Sequence, residues 1–278
     1  MTETDMWNRI YDNLSGACLT PTRWAYSYDR LEEIISALVS RKVSREYTPL
    51  IVSEGCGEGR LEINLAKGIW YSKIVGIDAS SAGIKNARNL AKKDGVNNVS
   101  FEMGRIEDYY DKLRNRTLTF AINSYQYFRD EHGRNGKVLE MLKKAVESTR
   151  IGSYILLTGP SLEDFGKALF GEFVEDTEFL PRYTIRDGSG RVMHQEALFG
   201  NKFLQSANEV LGDSADITNH GKLPFNAKDL LPIACLAENM GRVDVAVSLR
   251  EKALEYKRVQ EKNPSEGPMV EWYIFQRQ

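Results

Sequence analysis

Ile51 to Glu62 read IVSEGCGEGRLE, and Lys73 to Asp78 read KIVGID. In the first stretch an apolar run enters Gly55-Cys56-Gly57-Glu58-Gly59 and a helix-forming segment follows. Glycines lack a Cβ, so the backbone at such a turn can pass close to a ligand. The second stretch ends in an acid about 20 residues after the first glycine, the place from which a carboxylate accepts hydrogen bonds from both ribose hydroxyls. Together they predict a nucleoside-binding edge on a parallel sheet.

The surrounding pattern agrees. From residue 49 to 158, short apolar runs alternate with segments of helical period, the mark of a parallel sheet covered by helices. The predicted strands are Leu50 to Val52, Lys73 to Asp78, Val99 to Met103, Thr117 to Ile122 and Tyr154 to Thr158. The predicted helices are Arg30 to Ser40, Arg60 to Lys67, Ala82 to Lys93 and Lys137 to Thr149. After Pro160, Leu180 to Gln205 reads as a β-hairpin around Asp187-Gly188-Ser189-Gly190. A helix from about Asn226 to Met240, an apolar piece Val243 to Val247, a charged helix Leu249 to Lys262 and a last strand Met269 to Gln276 complete the chain. With no repeat or low-complexity tract, the expectation is one domain over 1–278. It has an N-terminal helical segment at 1–48 and an inserted hairpin or lid at 160–225.

Composition narrows the class. A chain of 278 residues with 42% hydrophobic residues can bury a core without disulfides or metal. Its net charge of −2 supplies no global basic field for nucleic acid. Cys18, Cys56 and Cys235 are scattered, with no ligand spacing, so neither a zinc site nor a disulfide framework is expected. No apolar run reaches the ~18 residues of a membrane span. The expected setting is a reducing intracellular compartment, cytoplasmic or nuclear, with no membrane and no metal.

The glycine turn also selects among cofactors. A dinucleotide dehydrogenase favours GxGxxG, with a pyrophosphate on the helix N-terminus. Here Glu58 stands at that helix start and would repel phosphate. A cofactor without phosphates fits better, and S-adenosyl-L-methionine (SAM), with its cationic sulfonium and ammonium, prefers carboxylates nearby.

At this point EGCGEG, GIDASSAGIKNAR and IGSYILLTGP resemble the ordered motifs of the class I SAM-dependent methyltransferases over Leu50 to Pro160. That resemblance implies a Rossmann-like α/β fold: a seven-stranded, mostly parallel sheet with helices on both faces, here carrying a β-hairpin elaboration. A finer resemblance is to the mRNA cap guanine-N7 methyltransferases. AINSYQYF is similar to their Ser-x-Gln-Phe element, ALFGNKF to their Phe-Gly-x-Lys-Tyr hairpin segment, PFNAKDLLPIACLAENMG to their late helix and MVEWYIFQRQ to their last strand. It implies capped RNA or cap guanosine as partner, with guanylyltransferase and triphosphatase as companion capping enzymes, and a viral origin among the options.

The resemblance assigns roles residue by residue. Gly55, Cys56, Gly57 and Gly59 line the methionine part; Asp78, with Ala79 beside it, holds the ribose; Arg105 and Ile106 flank the adenine; Ser124 and Gln126 approach the methionyl group. Tyr125, Tyr127 and Phe128 either wall the methyl acceptor or pack as core, and His132 is either a cap ligand or a solvated loop residue. Trp24, Tyr26, Tyr28 and Arg30 either stack a base and hold a carboxylate or form a helix packing edge. The sequence also departs from the family: Ser53 and Ala121 stand where it has Asp, Arg105 where it has an acid at the adenine, and Phe225 or Asn226 and Val270 where it has cap-pocket Glu and Tyr. Glu54 is the nearest substitute for the acid missing at Ser53, and Glu107 or Asp108 for the acid at the adenine.

Methyl transfer from a sulfonium is an in-line displacement. Guanine N7 already carries a free lone pair, so positioning suffices and no general acid or base is expected; a hydroxyl or amine acceptor more often calls for one. Three functions follow: a cap guanine-N7 methyltransferase, a small-molecule methyltransferase with 160–225 as a lid, or a methyltransferase-like subunit without catalysis.

Overall fold

The computed structural model describes residues 3–14, 26–41, 48–122, 124–125, 136–161, 174–175, 182–186, 189–190, 192–197, 199–224, 234, 238, 243–263 and 269–278. Its centre is a seven-stranded sheet. The strands are β1 (Leu50–Glu54), β2 (Lys73–Asp78), β3 (Val99–Met103), β4 (Arg116–Ile122), β5 (Thr149–Pro160), β9 (Ala215–Pro224) and β10 (Met269–Arg277), in the order β3-β2-β1-β4-β5-β10-β9. Neighbours from β3 to β5 run parallel, and β10 runs antiparallel to both β5 and β9. β1 and β4 are buried along almost their whole length, as strands of a parallel sheet covered on both faces are.

Strand alternation divides the core. Ile51, Leu118, Phe120 and Leu156 face a layer built by α2 (Tyr26–Ser40), α3 (Arg60–Gly68) and α7 (Val243–Lys262). Val52, Val75, Ala121, Ile155 and Leu157 face the opposite layer, with α5 (Gly136–Ser148) and α6 (Asn201–Leu211). A smaller cluster, Ile63, Ile84, Ala87, Ala91 and Phe101, packs α3, α4 (Ser81–Asp94) and β3 together. Local chemistry sets the limits of α4: the Ser80 hydroxyl accepts from the Gly83 amide at its start, and Gly95 takes the left-handed conformation at its end.

The predicted core strands and helices appear within a few residues, the largest difference being β5, which starts at Thr149 instead of Tyr154. Two expectations need correction. The hairpin arms are β7 (Arg182–Arg186) and β8 (Val192–Ala197), joined to a short β6 (Val174–Glu175) in a separate three-stranded sheet; Asn201 to Gln205 belong to α6. Phe199 and Phe203 of ALFGNKF are therefore core anchors and not part of a hairpin arm: Phe199 stacks on Phe203 at 4.3 Å, and a Cβ on Gly159 would lie 2.5 Å from the Phe199 ring. Likewise Val243 to Val247 is the start of α7, its Val245 and Ala246 packed in the core. Within 160–225, residues 215–224 form β9, the edge of the main sheet. Of the expected helix from Asn226 to Met240, only Ala234 and Glu238 fall among the described residues. A first helix, α1 (Glu3–Leu14), falls within the helical segment expected at 1–48 and precedes all of these.

One polar group is embedded in this frame. Arg116, at the start of β4, is fully buried, and its Nη1 lies 2.5 Å from Glu54 Oε1 at the end of β1, also fully buried. Arg116 Nε donates to the Leu113 carbonyl at 2.6 Å, and its guanidinium stands 5.0 Å from the Tyr110 ring centroid. Removing one partner of such a pair leaves the other charge in a dry interior, whereas replacing both with apolar groups can cost little. Arg116→Met should therefore lower the unfolding free energy in urea by about 3–5 kcal/mol, and the double variant Glu54→Leu/Arg116→Met should lose less than Arg116→Met alone.

Candidate cofactor site

Parallel α/β sheets bind ligands outside the carboxyl ends of their strands where strand order reverses, which here is between β1 and β4. The glycine turn after β1, Asp78 after β2, Arg105 and Ile106 after β3, and Ser124 and Tyr125 after β4 all lie at that edge.

The turn is held by the next strand: the amides of Gly55 and Cys56 both donate to the Ile77 carbonyl, at 2.8 and 3.1 Å. Gly57 adopts φ +54, and a Cβ there would lie 2.3 Å from the Tyr11 hydroxyl of α1. Gly59, at φ +69, caps α3, and a Cβ there would meet the Phe101 ring at 2.3 Å. These two glycines are thus fixed by packing as well as by conformation. Ser124 closes the other side, its hydroxyl donating to the Glu54 carbonyl at 2.6 Å.

Asp78 accepts from the Gly57 amide through Oδ2 at 2.9 Å and from the Ser80 amide through Oδ1 at 2.7 Å. Each carboxylate oxygen retains a lone pair, enough to receive two hydroxyls. Burial raises its pKa against the lowering effect of these two bonds. Ala79 is exposed beside it.

Glu54, expected as the shifted acid, is elsewhere. Successive strand residues point to opposite faces, so moving the acid from 53 to 54 carries it across the sheet. Besides Arg116, Glu54 receives the Tyr125 hydroxyl at 2.5 Å and the Tyr110 hydroxyl at 3.1 Å. Burial first, and then Glu54, push both phenols well above their usual pKa, so they stay neutral donors. Tyr125 is fully buried in this cluster and does not wall an acceptor.

The carboxylate on the Ser53 side is Glu62, from the first turn of α3. Ser53 Oγ donates to Glu62 Oε1 at 2.5 Å, while Oε2 is buried with no hydrogen-bond partner among the described residues. Burial, aided by Asp78 and opposed by the Ser53 bond, raises its pKa to about 7. Cys56 senses the same field: burial, then Glu62 and Asp78, push its thiol well above the ordinary value. Glu58 sits between Asn86 and Arg60, partly buried, with its pKa raised by burial.

At the adenine end Ile106 is buried and Arg105 is exposed. Burial works against ionisation of Glu107, but hydrogen bonds from Lys137 and Arg105 bring its pKa down to about 2. Glu107 is thereby engaged, and Asp108 is exposed. Gln126, Tyr127, Phe128, His132, Trp24, Phe225 and Asn226 lie outside the described residues. Tyr26 and Tyr28 open α2, and Arg30 pairs with Glu33 on its surface. Val270 is buried in the core at 4% exposure.

Sequence reasoning missed Asn8, Tyr11 and Glu62. Asn8 Oδ1 accepts from the Ser80 hydroxyl at 2.8 Å and the Ala82 amide at 3.3 Å, seating α1 on the start of α4. The one-turn spacing of Asn8 and Tyr11 was visible in an amphipathic segment. Glu62 carried a weaker signal, an acid in the first helical turn after the glycines.

A pH dependence of stability follows from Glu62. Its folded pKa of about 7 exceeds the unfolded value of 4.5, so the folded state holds the proton more tightly. The associated stability is full below about 4.5 and is lost as pH rises through about 7, on the order of 3 kcal/mol. Urea unfolding of the ligand-free protein from pH 5 to 8 should show this decline, and Glu62→Gln should flatten it.

Residues 52–169 match the family model described as Methyltransferase domain. No curated protein matches the sequence. Among solved structures, the [4+2]-cyclase SpnF superposes with a TM-score of 0.61 at 12% identity, covering 99% of this chain and 95% of its own. Magnesium protoporphyrin IX methyltransferase from Synechocystis, solved with bound S-adenosylhomocysteine (SAH), gives 0.59 at 11%, covering 99% and 97%. A SAM-dependent methyltransferase from Geobacter sulfurreducens, also in complex with SAH, gives 0.56 at 13%, covering 100% and 99%. The chain has the Rossmann-like fold of these methyltransferases, and its glycine turn, Asp78 and fourth-strand edge all lie in the segment that matches the methyltransferase domain.

Proposed function

We propose that the chain is a SAM-dependent methyltransferase. The observation that carries this reading is a pair of carboxylates at the glycine turn: Asp78, bonded to the Gly57 amide, and Glu62, bonded to Ser53 at the end of β1, together give the turn a negative field. Such a field disfavours pyrophosphate and favours a cation. Glu58 before α3 adds to the case against phosphate. The match over 52–169 and the company of SAH-bound structures point the same way.

When bound, SAM supplies an electrophilic methyl group on a positively charged sulfur. The protein's part is positional. Asp78 takes the ribose hydroxyls, the Gly55 to Gly59 backbone supports the methionine portion, and Ile106 gives the adenine an apolar cover. Ser124, locked to the Glu54 carbonyl, sets where the chain leaves β4 toward the acceptor. In-line geometry supplied by these contacts lowers the barrier mainly through orientation.

For the acceptor, guanine N7 of an RNA 5′ cap is the reading supported by the ordered resemblance over residues 50 to 278, and it requires no general base. Capped RNA is then the partner. A small-molecule acceptor is the second reading. It is favoured by the burial of Val270 and Tyr125, which takes two places away from a cap pocket, and by the net charge of −2.

Calorimetry with SAH tests the cofactor. Micromolar binding by the wild type, lost in Asp78→Ala, is expected; no binding at millimolar SAH sinks the enzyme reading. Labelled SAM offered with GpppA-capped RNA should yield labelled m7G after nuclease digestion. Transfer to a metabolite pool without m7G would move the assignment to the second reading.

A further inference from the structure

SAM and SAH both carry an ammonium on the methionine portion, a donor group for which a carboxylate is the strongest acceptor a protein offers. The acids around the turn can be taken in order. Glu54 is engaged by Arg116 and two tyrosines on the far face of the sheet. Glu58 is engaged by Asn86 and Arg60, and Glu107 by Lys137 and Arg105. Asp78 already receives two amides and is placed for the ribose. Glu62 alone among these has a carboxylate oxygen, Oε2, buried with no hydrogen-bond partner.

We propose that Glu62, delivered from α3 and held by Ser53, is the counter-ion for the ammonium of the cofactor's amino-acid part, directly or through one water. The geometry has three supports. Ser53 is on the α3 side of β1, and its hydroxyl fixes Oε1 at 2.5 Å, which leaves Oε2 as the free end. Ser53 stands in β1 two residues before Gly55, so the Glu62 carboxylate bonded to it lies at the foot of the glycine turn over which the amino acid would lie. A buried polar atom without a partner is costly in a native fold, and a ligand donor is one way such an atom is satisfied. The serine that looked like a lost acid is on this view the holder of a longer acid reaching in from the neighbouring helix.

The inference rests on the cofactor reading, and two ligands separate them. SAH carries the ammonium; 5′-methylthioadenosine has the adenosine and thioether but no amino-acid part. Glu62→Gln keeps the side-chain shape and the Ser53 bond while removing the charge. Calorimetry should show SAH weakened about 10-fold or more in Glu62→Gln, the scale of a lost charge-assisted hydrogen bond, with 5′-methylthioadenosine changed less than about twofold. Ser53→Ala, which frees the carboxylate without removing it, should weaken SAH by a smaller factor and likewise spare 5′-methylthioadenosine. Thermal melts verify that each variant is folded. Equal loss of both ligands in the folded variants assigns Glu62 a purely structural role and overturns the proposal, as does unchanged SAH affinity. Failure of the wild type to bind either ligand overturns the cofactor reading and the proposal with it.

Discussion

The Glu54 to Arg116 pair is the constraint on which the cofactor edge depends. Glu54 is the last residue of β1 and the first before the glycines, so whatever fixes its side chain fixes where the turn begins. Arg116 ties that point to β4, Tyr110 ties it to the segment after β3, and Tyr125 to the chain leaving β4. A buried ion pair is no assurance of net stability, since desolvation offsets much of the attraction. Its effect here is geometric. Any arrangement that misplaces one of the four side chains leaves a charge or hydroxyl unpaired in a dry core, so three separate strand ends are held in one register.

The two faces of β1 then divide the acids by task. On the face of Val52, Glu54 is a structural anion with its own cation. On the face of Ile51, Ser53 and Glu62 form a carboxylate site near Asp78 with no cation bonded to it among the described residues. Burial at this place raises the Glu62 pKa to about 7. Because alternation along a strand has period two, a carboxylate one residue later cannot stand in for one at 53; a carboxylate from the adjacent helix can.

Much of the core was legible because the signals were local. Glycines, a terminal Asp and alternating apolar runs placed β1 to β5 and the helices between them. The hairpin was overextended because Phe199 and Phe203, apolar and β-compatible, take their identity from stacking on each other and on Gly159, a contact across distant sequence. The strand β9, reading ADITNHGKLP, has weak alternation and is held by a long antiparallel ladder to β10. In the site, Asp78 was legible from spacing. Glu62 was not, because nothing in a linear motif says that a helix will return its first-turn acid to the serine of the preceding strand. Glu54 misled for the complementary reason: proximity in sequence stood in for proximity in space, and Arg116 lies 62 residues away.

Fold does not fix chemistry, and the superposition on a [4+2]-cyclase makes that concrete. What distinguishes methyl transfer is a change of charge: the sulfonium becomes a neutral thioether while the ammonium keeps its charge throughout. A counter-ion on the ammonium, as proposed for Glu62, therefore acts alike on substrate, transition state and product. It strengthens binding without favouring the reaction itself, so its loss falls on KM and on product inhibition and leaves kcat nearly unchanged. The groups that raise kcat must instead sense the sulfur and the acceptor. On the proposed reading, the carboxylates beneath the glycine turn retain the cofactor and leave its reactivity to groups that sense the sulfur.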